Sequence, residues 1–251
     1  MIKKVVLYFL MFFLSLFVCL VLLLPASIVW DKFLSTQLNA RQLGINVQKV
    51  VGTIWNGQAL IVYRGLSGII HWNVDPSEVW MLSLPMSVSV NSQVGKLDAA
   101  IKSTFASVQA EIIKAEIDLK PLTPMFKAER VSLDGELFVK NLSVVMEDKK
   151  IKSAAGMASW SGGDIAYPAG REVHQRNMPM FKAIVETKES GEIYLSVRDS
   201  QATFDVIDAT LALDGTGMLR ITRRLLDLSD EPWSLNSREQ DVVFKVKKML
   251  Y

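Results

Sequence analysis

Residues 113–119 read I-K-A-E-I-D-L. Ile113, Ala115, Ile117 and Leu119 alternate with Lys114, Glu116 and Asp118. Successive side chains of a strand point to opposite faces, so a period of two separates an apolar face from a charged one. The same period recurs along the chain. Met86, Val88 and Val90 alternate with serines. Ile193, Leu195 and Val197 alternate with Tyr194, Ser196 and Arg198. Ala202, Phe204 and Val206 alternate with Thr203 and Asp205, and Leu219 and Ile221 with Arg220 and Thr222. Val242, Phe244 and Val246 alternate with Lys245 and Lys247. These segments predict antiparallel strands with one buried face. Asn56-Gly57, Asp134-Gly135, Ser190-Gly191 and Asp214-Gly215 supply tight bends, because glycine reaches positive φ without a steric penalty. Two short helical pieces are expected, Pro76 to Leu82 capped by Asp75 and Thr222 to Leu228 capped by Thr222. No strand–helix alternation of the βαβ kind appears.

Before the first strand the sequence changes character. Lys3 and Lys4 precede VVLYFLMFFLSLFVCLVLLLPASIVW, with no charged side chain from Val5 to Trp30. About twenty helical residues span about 30 Å, the hydrocarbon thickness of a bilayer. The two lysines bias the N-terminus to the cytoplasmic side, and Trp30 suits a membrane–water boundary. A cleaved secretory signal shares the basic start and apolar run. The run exceeds the usual length, however, and LPASIVW lacks a clear small-x-small site. DKFLSTQLNARQLG, residues 31–44, could extend the helix by a few turns to Gly44.

The chain has 251 residues, half of them hydrophobic, and a net charge of +2 that Lys3 and Lys4 account for. The remainder is neutral and has no electrostatic footprint for nucleic acid. The single cysteine, Cys19, lies in the apolar run, so no disulfide can form beyond it.

Two histidines and one cysteine cannot build a zinc site of the usual kind. His71, in the strand GIIHWNV, reads as a structural edge histidine sharing a face with Ile69 and Asn73, opposite Ile70 and Trp72. His174 falls in YPAGREVHQRNMP, residues 167–179, which has no periodicity and reads as an exposed loop between two halves of the domain. There is no G-x-S-x-G, H-E-x-x-H or phosphate-binding loop. The expectation is therefore a non-enzyme with no catalytic, cofactor-binding or metal-binding residue.

The sharpest local pattern is VVGTIWNGQA, residues 50–59. Gly52 and Gly57 bracket a strand-like TIW, which predicts a tight change of direction with Trp55 covering a glycine on its neighbour. Trp55-Asn56-Gly57 before a strand ending at Tyr63 is echoed by Trp160-Ser161-Gly162 before one ending at Tyr167.

The basic start, the apolar run ending in LPASIVW, VVGTIWNGQA, the Gly68 to Trp72 strand and W-S-G-G-x-x-x-Y-P at Trp160 to Pro168 together resemble the type II secretion system protein N family. The resemblance spans essentially the whole chain, with Gly52, Trp55, Gly57, Trp160 and Gly162 as its structural motif. It implies a mainly β fold: a single N-terminal transmembrane helix and a large antiparallel β domain, a curved or superhelical AsmA-like sheet. It divides the chain into a cytoplasmic 1–4, an anchor 5–30 and a periplasmic domain 31–251. It implies an accessory inner-membrane subunit that helps move folded proteins from periplasm to exterior, with other secretion subunits as partners and no catalytic residues. A similarity to AsmA-like envelope proteins leaves a second function open, in which the apolar sheet face is a groove that binds or carries lipid.

Overall fold

A computed structural model of the chain describes residues 2–34, 44–126, 128–148, 150–233 and 236–249. It begins with helix α1, Ile2–Leu22, a break at Leu23 to Pro25, the single turn α2, Ala26–Val29, and a π-helical turn, Trp30–Leu34. The extension of the helix toward Gly44 falls largely on 35–43, outside the described residues. Pro25 lacks the N–H that a continuing helix would need and sits extended at φ −66°, ψ 132°, so the long helix stops before it.

Sixteen strands are described. They are β1 Ile45–Gly52, β2 Asn56–Tyr63, β3 Leu66–Val74, β4 Ser83–Ser92, β5 Gly95–Thr104, β6 Ser107–Asp118, β7 Ser132–Leu133 and β8 Glu136–Glu147. After them come β9 Lys150–Trp160, β10 Gly163–Ala169, β11 Glu172–Met178, β12 Phe181–Thr187, β13 Ile193–Asp199, β14 Ile207–Leu211, β15 Thr216–Thr222 and β16 Val242–Met249. Thirteen form one antiparallel sheet in the order β1-β2-β3-β4-β5-β6-β8-β9-β12-β13-β14-β15-β16, and β11-β10-β7 form a second, small sheet. Strand accounts for 57% of the chain, and the large sheet is not closed into a barrel. The fold is mainly β, as the alternating segments predict.

The order is sequential except at two places: β7 lies outside the large sheet between β6 and β8, and β10 and β11 lie outside it between β9 and β12. β9 ends at Trp160, the chain leaves to build β10 and β11, and it returns at Phe181, which pairs with Trp160. Residues 167–179 are therefore a β-hairpin and its exit rather than an exposed loop. Its strands lack apolar alternation because one side packs against polar main chain near the end of helix α3, Arg223–Leu228. The expected strand at Ala202 to Val206 is also absent. Asp199 turns the chain there by accepting from the N–H groups of Gln201 and Ala202, and β14 starts only at Ile207. Val206 nonetheless becomes completely buried.

The other expected pieces sit close to their forecast positions. Pro76–Met81 is a 3-10 helix, and the Asp75 side chain accepts from the Ser77 N–H at 2.9 Å. Thr222 precedes α3 with extended dihedrals, but its hydroxyl donates to the Val206 carbonyl instead of capping the helix.

Residues directly opposite on neighbouring strands share a face. One row runs through all thirteen strands of the large sheet: Val50, Ala59, Ile70, Val90, Leu97, Ala115, Val139, Ala158, Ala183, Val197, Ile207, Ile221 and Phe244. Every member is apolar. Bulges keep it so: in β6, Ile113 is the extra residue between Ile112 and Lys114, and it turns outward instead of joining Ala115 and Ile117. The opposite face carries Ser87, Ser89 and Asn91 on β4, Lys96 and Asp98 on β5, and a 2.6 Å Lys114–Glu116 ion pair on β6.

Only Ala115 of that row is buried, and Phe244 is exposed. Among the described residues the buried hydrophobics are just Ala26, Ala115, Ala154, Met178 and Val206. Domains usually stack two layers so that the apolar face of one closes on another. Here the face expected to be buried is half-buried along most of its length.

Candidate functional site

Two features stand out: a clasp joining α1 to the first hairpin, and the open apolar face that begins beside it. The clasp is built by the Gly52 to Gly57 segment. The Thr53 N–H donates to the Asn56 carbonyl at 2.8 Å, closing the turn between β1 and β2. Gly52 holds φ +98°, a conformation that a Cβ would strain, and a Cβ there would lie 2.4 Å from the Asn56 oxygen. The turn then reaches the helix. The Trp55 indole N–H donates to the Val21 carbonyl at 3.0 Å, the Ile54 N–H donates to the Leu24 carbonyl at 3.1 Å, and Pro25 bridges Thr53. The last carbonyls of a helix have no partner within it, so this turn caps α1.

The tryptophan that covers a glycine is Trp72, not Trp55. A Cβ on Gly57 would lie 2.3 Å from the Trp72 ring, and the Trp72 indole N–H donates to the Thr53 carbonyl at 3.1 Å. Gly57 and Trp72 are directly paired on β2 and β3. Both indoles thus brace the same turn from different sides.

Trp160 and Gly162 brace the branch point in a related way. The Trp160 indole N–H donates to the Asp134 carbonyl at 2.9 Å, and its ring stacks on Phe181 at 5.9 Å. The Ser161 hydroxyl accepts from the Glu136 N–H at 2.8 Å. A Cβ on Gly135 would lie 2.2 Å from the Gly162 oxygen, and one on Gly162 would lie 2.6 Å from the Met178 oxygen. The two motifs do not meet. One holds α1 to the sheet, and the other holds the β10–β11 excursion to it.

The apolar face opens beside the clasp into a cavity of about 640 Å³. Val47, Ile61, Ile70 and Val88 form its floor, and Ala26, Val29 and Trp30 form one wall. All fourteen residues that line it are apolar. A second hollow of about 310 Å³ continues past Tyr63, Val90, Leu97 and Ile117 to Leu122 and Met125. A third, about 290 Å³, lies over Leu195, Ala209, Leu219 and Val246 at the far end. No single residue in the sequence marks this face as open, since each of its strands shows the alternation of an ordinary half-buried sheet.

Polar clusters lie elsewhere. His71 stands on the exposed polar face of β3, an internal strand and not an edge. His174 is part-buried: its Nδ1 lies 2.6 Å from Glu231 Oε1, which also accepts from the Tyr167 hydroxyl at 2.6 Å. The Tyr167 bond first, and then the His174 contact, hold the Glu231 carboxyl below the usual carboxylate range. Arg176 Nε donates to the Ser229 carbonyl at 2.6 Å, so the cluster ties the β10–β11 hairpin to the end of α3. On the polar face, Asp205 accepts from Tyr194, Ser196 and Arg198 at 2.5–2.6 Å. Burial, then the bond to Asp205, pushes the Tyr194 hydroxyl up to about 12. Burial also raises the Asp205 carboxyl, but its three donors outweigh that and hold it low. Asp199, with no exposed side-chain surface, pairs with Arg224 at 2.9 Å. Apart from the exposed His71, each of these groups is satisfied by a neighbour within the fold, and none lines the apolar cavity. Among the described residues no three His, Cys, Asp or Glu side chains come together as a metal site.

The helix α1 contains a stretch, Lys4–Leu22, with mean hydropathy 3.0 and none of it buried against the sheet. It is long and apolar enough to cross a bilayer. In comparison with known proteins, residues 43–235 match the family model described as type II secretion system protein N. No curated protein and no solved structure matches the chain.

Proposed function

The chain belongs to the type II secretion system protein N family, and we propose that it works there as a single-pass inner-membrane subunit with residues 1–4 cytoplasmic and the sheet periplasmic. The family places it in an accessory role in type II secretion. The observation that carries the finer reading is the clasp. An apolar helix of membrane length is hydrogen-bonded to the sheet through Trp55–Val21 and Ile54–Leu24, so the sheet stays within a thin layer next to the bilayer.

Confinement to that layer raises the effective concentration of the sheet toward other anchored subunits, so modest contacts suffice for assembly. The ends of the large sheet, β1 and β16, are the places where a partner strand could add. β16 presents Lys245, Lys247 and Lys248, which deter indiscriminate pairing and favour an acidic partner strand. In this reading the protein acts by binding and not by chemistry.

The test is genetic and topological. Deletion of the gene should leave secreted proteins held in the periplasm, and a reporter active only in the periplasm should work when fused after Tyr251. A His71→Ala, His174→Ala double variant, verified as folded, should restore export. Unimpaired export in the deletion strain would remove the secretion role, and a reporter active only in the cytoplasm would reverse the topology. Failure of the folded double variant would point to chemistry at a histidine.

A further inference from the structure

We propose that Met81, Leu82 and Phe105 dip into the bilayer surface beside α1 and give the sheet a second attachment to the membrane. Phe105 is 95% exposed, Met81 70% and Leu82 67%. Single apolar residues on a surface need no explanation, but a cluster at one end of a fold does. Phe105 and Ala106 form the tip between β5 and β6. The Thr104 hydroxyl oxygen accepts from the Ser107 N–H at 3.0 Å and closes that turn, so Phe105 stays at its apex. Met81 ends the 3-10 helix between β3 and β4, and Leu82 follows it at φ 55°, ψ 33°. That conformation suits glycine or asparagine. A leucine there gains neither backbone ease nor burial within the chain.

The two tips are neighbours. Ser83, directly after Leu82, pairs with Thr104, directly before Phe105. The Glu78–Lys102 ion pair at 3.2 Å ties the 3-10 helix to β5. Both tips lie at the end of the sheet where the clasp holds α1. The Val74 N–H donates to the Trp55 carbonyl at 2.6 Å, so the first turn abuts the end of β3. Asn56, Asn73, Ser87 and Ala100 stand level across β2 to β5. Phe105 follows Ala100 by five residues, so the patch reaches past the clasp. Further along the same end the connections become charged, with Asp148 and then Lys188 and Glu189. At the opposite end the turns Arg64-Gly65 and Gln93-Val94 present no exposed large hydrophobic side chain. The patch therefore lies on turns, not on a face of the sheet.

The helix names the occupant. From Lys4 to Val21 it rises about 26 Å, against a hydrocarbon thickness of about 30 Å. Val21 thus lies at a bilayer boundary, and so does Trp55, which is bonded to its carbonyl. Tryptophan favours that level. None of Lys4–Leu22 is buried against the sheet. The helix therefore projects beyond this end, and the bilayer around it lies under the neighbouring turns. Three side chains would not hold a free protein on a membrane, where stable anchoring takes more than one signal. Here α1 has already brought them to the surface, so their entry costs little further freedom. Their apolar side chains gain by leaving water. The inference is independent of the secretion role and rests on α1 lying in a membrane.

The test uses the full chain reconstituted in vesicles of phosphatidylethanolamine and phosphatidylglycerol, with and without a nitroxide quencher high on one acyl chain. Leu82→Cys, Phe105→Cys and Gln93→Cys are each made in a Cys19→Ser protein and labelled with bimane. All three positions are exposed, so the labels leave the packing alone. The unaltered chain, labelled at Cys19, reports on the anchor. Labels at 82 and 105 should emit further to the blue than the label at 93, and the lipid nitroxide should quench them as it quenches Cys19. The label at 93 should keep its emission. Phe105→Asp should restore most of the emission lost at 82, because a charge resists leaving water. Quenching at Cys19 with none at 82 and 105 would overturn the proposal while leaving the anchor in place. Quenching at no position would overturn the proposal and the membrane reading together. Blue emission at 82 and 105 without quenching by lipid would assign the tips to a protein surface and overturn the proposal. Equal quenching at 93 would mean that the sheet meets the bilayer without regard to its ends, which would overturn it as well.

Discussion

The indole N–H of Trp55 donates to the main-chain carbonyl of Val21 at 3.0 Å, across 34 residues of sequence. Val21 lies in the last turn of the apolar helix, where carbonyls lack helical partners. Trp55 therefore caps the helix that Pro25 stops, and fixes the first hairpin to it in one contact. Trp55→Phe keeps a ring and removes the donor. It should lower the stability of the full chain in detergent by about 0.5–1.5 kcal/mol, the net worth of one hydrogen bond. An unchanged unfolding temperature would mean that water replaces the indole at no cost.

A chain cut to begin at residue 31 loses Ala26, Val29 and Trp30, all of which pack against the sheet. Ala26 is 7% exposed in the full protein. The fragment 31–251 should unfold at a lower temperature than 23–251, and it should bind an apolar fluorophore more strongly. Equal stability of the two fragments would show that α2 adds nothing to the fold.

Gly57 has no room for a side chain, because Trp72 lies over it. Gly57→Ala should push the indole away from Thr53, shift the tryptophan emission and cost about 1–3 kcal/mol, as overpacking does. Gly65 lies in the next turn at φ +90°, with open space where a Cβ would stand. Gly65→Ala should cost about 1–2 kcal/mol through its backbone alone and leave the emission spectrum where it was. A spectral shift in the second variant and not in the first would reverse this account.

Arg224 pairs with Asp199, whose side chain has no exposed surface, whereas Arg198 pairs with Asp205 while half-exposed. Arg224→Met leaves a buried carboxylate without its cation and should cost about 3–5 kcal/mol. Arg198→Met removes a half-exposed cation from an Asp205 that keeps its Tyr194 and Ser196 donors, and should cost about 1 kcal/mol or less. Chemical denaturation of both variants gives the comparison, and equal losses would show that burial does not set the difference.

Tyr194 is pushed up to about 12 by burial and by its bond to Asp205, from an ordinary value of 10. The folded protein thus favours the neutral hydroxyl. The resulting stability is fully present below pH 10 and is lost as pH rises from 10 toward 12. Ultraviolet titration of the folded protein should show one of its five tyrosines ionising last, and Tyr194→Phe should remove that step. The same variant should flatten the fall in stability over that window. A native titration with all tyrosines ionising together near the ordinary value would contradict the Tyr194–Asp205 bond.

Much of this architecture was legible in residues close together in sequence. Alternation at Ile193, Leu195 and Val197 located β13, Asp75 marked the cap of the 3-10 helix, and the uncharged run after Lys4 marked α1. The alternation at Ala202, Phe204 and Val206 misled, because the Asp199 carboxylate captures two N–H groups that a strand would have given to its ladder. Residues 167–179 misled in the other direction. Their strands bond to each other in the absence of an apolar face, and their polar side chains find Ser229 and Glu231 some fifty residues away.

The sequence by itself determined the mainly β fold, the apolar helix and the family, because strand period, turn glycines and helix hydropathy are local properties written at short range. It also marked Gly52, Trp55, Gly57, Trp160 and Gly162 as special without saying what each one touches. Only the tertiary structure decided that Trp55 reaches Val21 while Trp72 covers Gly57, that the chain leaves the large sheet at Gly162, and that thirteen apolar residues line up in one row. It alone left that row half-open. Alternation requires that one face avoid water, but whether a second layer, a membrane lipid or a partner covers it depends on contacts between segments far apart in the chain, and no local pattern records those.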